Sequence, residues 1–382
     1  MKMDSHEVDL SVTSHEIVFQ APELSIIVPT FNELDNVLEV VQRLERCLGR
    51  NSWEVIFVDD DSPDGTAARV REIARQNPRV RCLQRIGRRG LSSACVEGMM
   101  ASSAPYLAVM DADCQHDEAA LPRMLEVLKA GDADIVVGSR YIDGGGIGNW
   151  NASRAKMSRF ATRLSRLVIK QDLSDPMSGF FALRGDVLKP AVRRLSNIGF
   201  KVLLDLMASS PQPLRLKEVP YEFRNRHAGE SKMDSQAMWD YLMLLLDKLV
   251  GHVVPVRFVA FGLVGGVGVL LHFALLTTLF RVMGLSFSFS QGSATIVAMI
   301  SNFTLNNALT FRDMRLKGWG WVKGLALFVL VCGIGALANV GIASYLFTRN
   351  RMWVLAALAG IVIGAVWNYA ITAMYAWGKQ KG

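Results

Sequence analysis

Tyr106-Leu107-Ala108-Val109-Met110-Asp111-Ala112-Asp113-Cys114-Gln115-His116 is the stretch that decides the fold class. The apolar run 106–110 reads as a buried strand, and two carboxylates arrive at its C-terminal end. Open α/β sheets bind ligands at that edge. Asp111, Asp113 and Gln115 alternate, so in an extended chain their side chains share one face. Two carboxylates and an amide oxygen are hard ligands, suited to Mg²⁺ or Mn²⁺ holding a diphosphate. The blander alternative is a set of solvated turn acids. A second acidic tract, Val58-Asp59-Asp60-Asp61-Ser62-Pro63-Asp64-Gly65, ends another apolar run in the same way. Asp60 and Asp61 are placed to meet ribose or base, whereas Ser62 and Asp64 read as helix caps.

Outward from these tracts the pattern alternates. Strands are expected at 24–30, 53–58, 80–83, 106–111 and 135–138, and helices at 32–49, from 64, at 90–101 and at 118–129. Such alternation predicts an α/β, Rossmann-like domain with a mostly parallel sheet covered by helices on both faces. No GxGxxG follows the first strand and no GxxxxGK[ST] occurs, which argues against a dinucleotide fold and a P-loop.

Charge divides the chain. Residues 1–235 carry 31 Lys and Arg against 32 Asp and Glu, while 236–382 carry 11 against 3. The positive excess therefore belongs to the second half and implies no nucleic acid. There, four stretches lack Asp, Glu, Lys and Arg: 258–280, 282–311, 324–348 and 352–378. Each exceeds the roughly 20 residues a helix needs to cross a bilayer. The expected organisation is a disordered tail over 1–22, an α/β domain over 23–235 and an amphipathic interface helix over 236–255. An all-α domain over 256–382 follows, with four transmembrane helices at about 258–280, 286–309, 324–347 and 353–377. Arg312, Arg315, Lys317, Lys323, Lys379 and Lys381 on one side outnumber Arg281, Arg349 and Arg351 on the other, placing the first domain in the cytoplasm. The five cysteines show no CxxC and read as small apolar residues. Gly262, Gly265, Gly266, Gly268, Gly360 and Gly364 permit close helix packing within one chain or between copies, which leaves room for a homo-oligomer. A faint two-helix repeat runs through the same region, with Asn302-Phe303 echoed by Asn368-Tyr369.

Cations follow the acids. Arg140 ends the 135–138 strand at the same sheet edge. From Arg154 to Lys170 a basic amphipathic helix is expected, either on a membrane surface or packed on the sheet with a solvated basic face. Arg226 and Lys232 sit in a glycine-containing basic loop before the apolar half. Guanidinium groups suit phosphate oxygens. Asp175-Pro176-Met177-Ser178-Gly179-Phe180-Phe181 reads as a structured loop entering a strand, with functional and structural roles both open. His116 and His227 read as structural rather than as bases.

Together these residues resemble the dolichyl- or polyprenyl-phosphate mannose synthases, family 2 glycosyltransferases of the GT-A fold. The motifs are IIVPTFNE (26–33), VDDDSPDGT (58–66), GLSSA (90–94), MDADCQH (110–116), GSRY (138–141), DPMSGFFALR (175–184) and GESK (229–232). The family often has Leu and Pro-Pro where this chain has Cys114 and Asp117-Glu118, and Tyr where it has Phe31. The resemblance implies that Pro29, Phe31, Glu33, Val58 and Asp60 line a nucleotide pocket. It implies that Asp111, Ala112 and Asp113 meet diphosphate and metal, with Gln115 completing the metal shell. Arg140, Arg154, Arg226 and Lys232 would meet phosphates of donor or acceptor, joined by Ser158 one turn after Arg154. Residues 256–382 resemble the GtrA-like membrane domain, in which many relatives have Arg at the place of Asn307.

The activity implied is inverting transfer of mannose from GDP-mannose to a polyprenyl (dolichyl) phosphate, with Mg²⁺ or Mn²⁺ and a lipid bilayer as surroundings. Asp113, Arg140, Arg154 and Ser158 are the residues expected to act on the reacting groups. Two alternatives stay open: a UDP-glucose or other UDP-sugar as donor, and a carrier or flippase for a lipid-linked sugar with a regulatory soluble domain.

Overall fold

The structure, a computed structural model, describes residues 21–49, 51–148, 152–169, 171–196, 199–224, 235–251, 253–350 and 353–378. All but the last two residues of the expected N-terminal tail lie outside them. The chain divides into two compact units, one of Met1–Asn197 and Lys201–Glu230, the other of Ile198–Phe200 and Ser231–Gly382.

In the first unit β1 (Leu24–Thr30), β2 (Trp53–Asp59) and β3 (Val80–Gln84) pair in parallel, as do β1 and β4 (Tyr106–Val109). β1 and β2 are buried along nearly their whole length, as a strand covered on both faces must be. Between them α1 (Val37–Leu48) buries Val37, Val40, Val41, Leu44 and Leu48, an apolar stripe at helical spacing. Gly49, at φ 50°, ends it with an N–H bond to the Glu45 carbonyl. The helices α2 (Thr66–Ala74), α3 (Leu91–Met100) and α4 (Leu121–Lys129) cover the sheet in turn. The helix expected from residue 32 begins only at Val37, because the intervening residues form hydrogen-bonded turns.

After β5 (Ile135–Ser139) come α5 (Ala152–Ser165), β6 (Phe181–Arg184), α6 (Gly185–Ala191), α7 (Val202–Ser209) and β7 (Leu216–Pro220). The seven strands lie in the order β3-β2-β1-β4-β6-β5-β7, and only β6 runs antiparallel to its neighbours. The order reverses beside β1, so the C-terminal ends of β1 and β4 frame a topological switch point. β7 was not expected from the sequence: Leu-Lys-Glu-Val-Pro is a half-exposed edge strand without an apolar run. On α5, Ala161 and Ser165 are buried while Phe160 is exposed, as is Leu167 in the turn just after the helix.

The second unit is helical: α8 (Ser235–Val250), α9 (Val256–Thr277), α10 (Phe287–Leu305), α11 (Trp319–Asn350) and α12 (Trp353–Ile371). The helical run Val256–Val282 is long and apolar enough to cross a membrane. The faint repeat is visible in three dimensions. α10 and α12 each pass into a π-helical turn, Asn306–Thr310 and Thr372–Ala376. A Cβ on Gly268 would collide with the Asn302 amide, and one on Gly335 with the Asn368 amide. Phe311 stacks on Trp377 at 4.2 Å, flanked by Phe303 on Trp377 and by its counterpart, Tyr369 on Phe311. Asn306 donates to the Asn302 backbone carbonyl one turn earlier in its own helix. Asn307 exchanges two hydrogen bonds with the Leu316 backbone and accepts a third from Trp377 Nε1, so an uncharged side chain joins two segments there.

Candidate active site

Three loops follow β1, β2 and β4 at the switch point. Each contains one non-glycine residue with left-handed backbone: Asn32 (φ 58°), Asp61 (φ 58°) and Cys114 (φ 60°). Asn and Asp adopt this conformation at little cost, whereas Cys is unusual there. Its side chain is buried in the core beneath the Asp111–His116 turn, which offsets the backbone strain.

The four acids at the end of β2 and in the loop after it have separate tasks. Asp59 accepts from the Ser62 N–H and hydroxyl, closing the turn. Asp61 accepts from Gln84 Nε2 and the Gly87 N–H. Asp64 accepts from Thr66 and from the Leu34 N–H, tying the first loop to the second. Asp60 accepts a 2.6 Å bond from the Gly90 N–H and faces Arg85, whose Nε lies 3.0 Å from its Oδ1. Burial raises the Asp60 pKa, while the Gly90 N–H and Arg85 pull it back. Among the expected pocket residues, Phe31 lies beneath the Arg89 guanidinium at 4.2 Å, and Glu33 accepts from Asn36. Pro29 is the penultimate residue of β1. The Val58 and Ala112 side chains are buried in the core, so a ligand would meet these two residues through backbone.

After β4, the Asp111 side chain is 39% exposed and stands 3.7 Å from His116 Nε2. The Asp111 N–H donates to His116 Nδ1, which leaves the proton on Nε2. Burial pushes the His116 imidazole down to about 4, and Phe180 stacks on it at 5.2 Å. It is a neutral packing residue, not a base. Asp113 Oδ1 accepts from the Gln115 N–H, and Gln115 gives its amide nitrogen to the Arg224 carbonyl. That leaves the Gln115 amide oxygen as the end available to a cation. Asp111, Asp113 and Gln115 thus present hard oxygens, the donor chemistry that Mg²⁺ and Mn²⁺ prefer. Among the described residues no three His, Cys, Asp or Glu side chains gather to hold a metal unaided, so this set would rely on Gln115 and on substrate phosphates. Arg224 also spans Asp117 at 2.7 Å and Glu118 at 3.0 Å. The Asp117-Glu118 pair therefore anchors the acidic turn to the segment after β7.

Beyond β5, the Arg140 guanidinium is gripped by Asp175 through Nε at 2.6 Å and Nη2 at 2.8 Å. Burial works against its charge, but the Asp175 carboxylate outweighs that and holds the Arg140 pKa above its ordinary value. Ser158 shares a 2.8 Å hydrogen bond with the Tyr141 hydroxyl, so α5 docks next to Arg140. Arg154 lies in α5 one turn before Ser158. Arg226 and Lys232 lie outside the described residues. Sequence reasoning missed Arg85 and left Asp175 undecided; each lies far along the chain from the residue it pairs with.

These loops and their acids define a nucleotide-sugar transferase class: residues 25–190 match the family described as Glycosyl transferase family 2, and residues 260–377 match the GtrA/DPMS transmembrane domain. A dolichol-phosphate mannosyltransferase of Pyrococcus furiosus is 33% identical over 359 residues, spanning 93% of this chain and 99% of the relative. One from Saccharomyces cerevisiae is 37% identical over 238 residues, 60% of this chain and 87% of the relative. A solved structure of glucosyl-3-phosphoglycerate synthase from Mycobacterium tuberculosis, with Mn²⁺, UDP-glucose and phosphoglyceric acid, is 17% identical. It covers 59% of this chain and 79% of its own, with a TM-score of 0.45. The chain is a glycosyltransferase and belongs to the dolichol-phosphate mannosyltransferase family.

Proposed function

We propose that this chain transfers mannose from GDP-mannose to a polyprenyl (dolichyl) phosphate, with inversion, giving a polyprenyl β-mannosyl phosphate at the cytoplasmic leaflet. The observation that carries this reading is the 33% identity to an archaeal dolichol-phosphate mannosyltransferase across 93% of the chain, both halves included. The exposed Phe160 on α5, the exposed Leu167 just after it and the apolar Val256–Val282 run support a catalytic unit held at a bilayer by a multi-pass domain.

In this reading Phe31, Glu33 and Asp60 receive the nucleoside, with Pro29, Val58 and Ala112 lining the pocket. Asp111, Asp113 and Gln115 would hold Mg²⁺ or Mn²⁺, which supplies Lewis-acid stabilisation of the departing diphosphate. Arg140, Arg154, Ser158, Arg226 and Lys232 orient donor and acceptor phosphates and offset their repulsion. An acceptor phosphate oxygen forms the new bond to the anomeric carbon. The bond to the β-phosphate oxygen breaks, and its electron pair leaves with GDP. A phosphate monoester with a second pKa of about 6 is largely dianionic at neutral pH, so no protein base is needed.

The test is lipid product from radiolabelled GDP-mannose and, in parallel, UDP-glucose, using detergent-purified protein and a polyprenyl phosphate, with and without EDTA. Metal-dependent product from GDP-mannose alone, lost in Asp113→Ala and Arg140→Ala, is the expected result. Product from UDP-glucose alone moves the donor, and no product from either points to the carrier reading.

A further inference from the structure

The Asp175–Phe181 loop is a motif that the proposed chemistry leaves unused. Its first residue is fully buried, yet it is charged. Asp175 accepts three N–H bonds from one residue: the Arg140 backbone at 3.2 Å, Nε at 2.6 Å and Nη2 at 2.8 Å. The loop is itself fixed from several sides. Lys201 Nζ donates to the Met177 carbonyl, the Ser174 N–H donates to Glu218, and the Ser178 N–H closes a turn on the Asp175 carbonyl. The Gly138 N–H bonds to the Phe180 carbonyl, and a Cβ on Gly138 would strike the Phe180 ring, so the loop and the end of β5 fit without play.

We propose that Asp175 is a positioning residue: through this fork it sets the plane of the Arg140 guanidinium in which that group meets a substrate phosphate. The inference rests on the anion-holding role proposed above for Arg140. Asp175 has no exposed surface, so it meets no substrate itself. A buried ion pair is a poor way to stabilise a loop, since apolar residues of similar volume do as well or better. A bidentate fork, by contrast, fixes direction as well as charge. The Phe223 and Tyr141 rings, 5.5 and 5.7 Å from the guanidinium carbon, border the same group.

Orientation and bare charge predict opposite signs. Asp175→Asn removes a negative charge next to the phosphate site. If Arg140 acted by charge alone, substrate would bind as well or better. If Asp175 aims Arg140, kcat/KM falls on the order of a hundredfold, the scale of a misplacement by about 1 Å. Arg140→Lys, which keeps the charge and loses the fork, falls to a similar level, and the Asp175→Asn/Arg140→Lys double variant falls no further. The assays use the full chain in detergent with polyprenyl phosphate, and thermal midpoints and GDP binding report folding. Wild-type kinetics in Asp175→Asn, or additive losses in the double variant, would overturn the proposal. If Asp175→Asn does not fold, Arg140→Lys decides alone, and unaltered KM and kcat there would overturn it equally. Wild-type protein inactive with GDP-mannose would instead sink the donor reading, and the same variants are then compared on the donor that is used.

Discussion

Arg85 Nε lies 3.0 Å from Asp60 Oδ1, and both side chains are withdrawn from solvent, Arg85 to 1% and Asp60 to 8%. Arg85 also donates to Ser93 at the start of α3, while the Gly90 N–H holds the other Asp60 oxygen. The pair therefore fastens the β2 loop to the turn that opens α3. Removing one partner of such a pair strands a buried charge, at a cost of about 3–5 kcal/mol. Arg85→Ala is expected to lower the unfolding midpoint sharply and to weaken GDP binding, whereas Arg85→Lys, which keeps the charge, loses less. Thermal unfolding in detergent with and without GDP checks this; an unchanged midpoint in Arg85→Ala would show that Asp60 needs no partner.

Two glycines near the site make contrasting predictions. A Cβ on Gly98 of α3 would stand 2.6 Å from Ile27 and 2.8 Å from Val58, both fully buried strand residues that have nowhere to move. Gly98→Ala should cost about 1–3 kcal/mol by overpacking. A Cβ on Gly179 would stand 3.5 Å from Asp111 Oδ2 and 3.6 Å from His116, ordinary contact distances. Gly179→Ala should fold normally. Chemical denaturation of the two variants side by side decides the matter, and equal stabilities would contradict the packing of α3 on β1 and β2.

The thiols give a pH prediction. Burial, helped by Glu118, pushes Cys47 up to about 12. Burial pushes Cys114 up to about 11 despite the opposing pull of Arg43. The folded state thus keeps these protons where an unfolded thiol, with pKa near 9, releases them. Stability contributed by them is present below pH 9 and declines as pH rises toward 11. The thiolate is the reactive form, so at pH 8 these cysteines should resist maleimide in the folded protein and react once it is unfolded. Mass spectrometry of labelled peptides is the measurement; rapid modification of Cys114 at pH 8 in active protein would place it in an open, not a buried, turn.

The strands around the acidic tracts were legible because parallel strands buried on both faces leave unbroken apolar runs, and β1 matches its expected bounds to the residue. The same logic hid β7, a half-exposed edge strand with no apolar run. Motif spacing could point to Asp60 and Arg140, but not to what holds them. Arg85 and Asp175 are charges joined to the site by the sheet, not by sequence. Nor does composition reveal that Cys114 carries a left-handed backbone, a place where glycine or asparagine would be expected.

The membrane-domain glycines divide by what they face. Gly262, Gly265 and Gly266 on α9 have nothing within 4 Å of a would-be Cβ, whereas Gly268 abuts the Asn302 amide and Gly335 abuts that of Asn368. Helices in a bilayer gain no hydrophobic drive from pairing, so close approach at small residues decides association. Gly268→Leu must separate α9 from α10, and Gly335→Leu must separate α11 from α12. Because these contacts occupy equivalent places in the repeat, their losses should be similar, each a clear drop in thermal midpoint in detergent. Gly266→Leu, two residues from Gly268 on the same helix, should leave the midpoint near that of the wild type, since its side chain enters open space. If Gly266→Leu proved as damaging as Gly268→Leu, that face of α9 would be packed against something outside this single chain, and the homo-oligomer that the glycine pattern leaves room for would become the explanation to pursue by cross-linking.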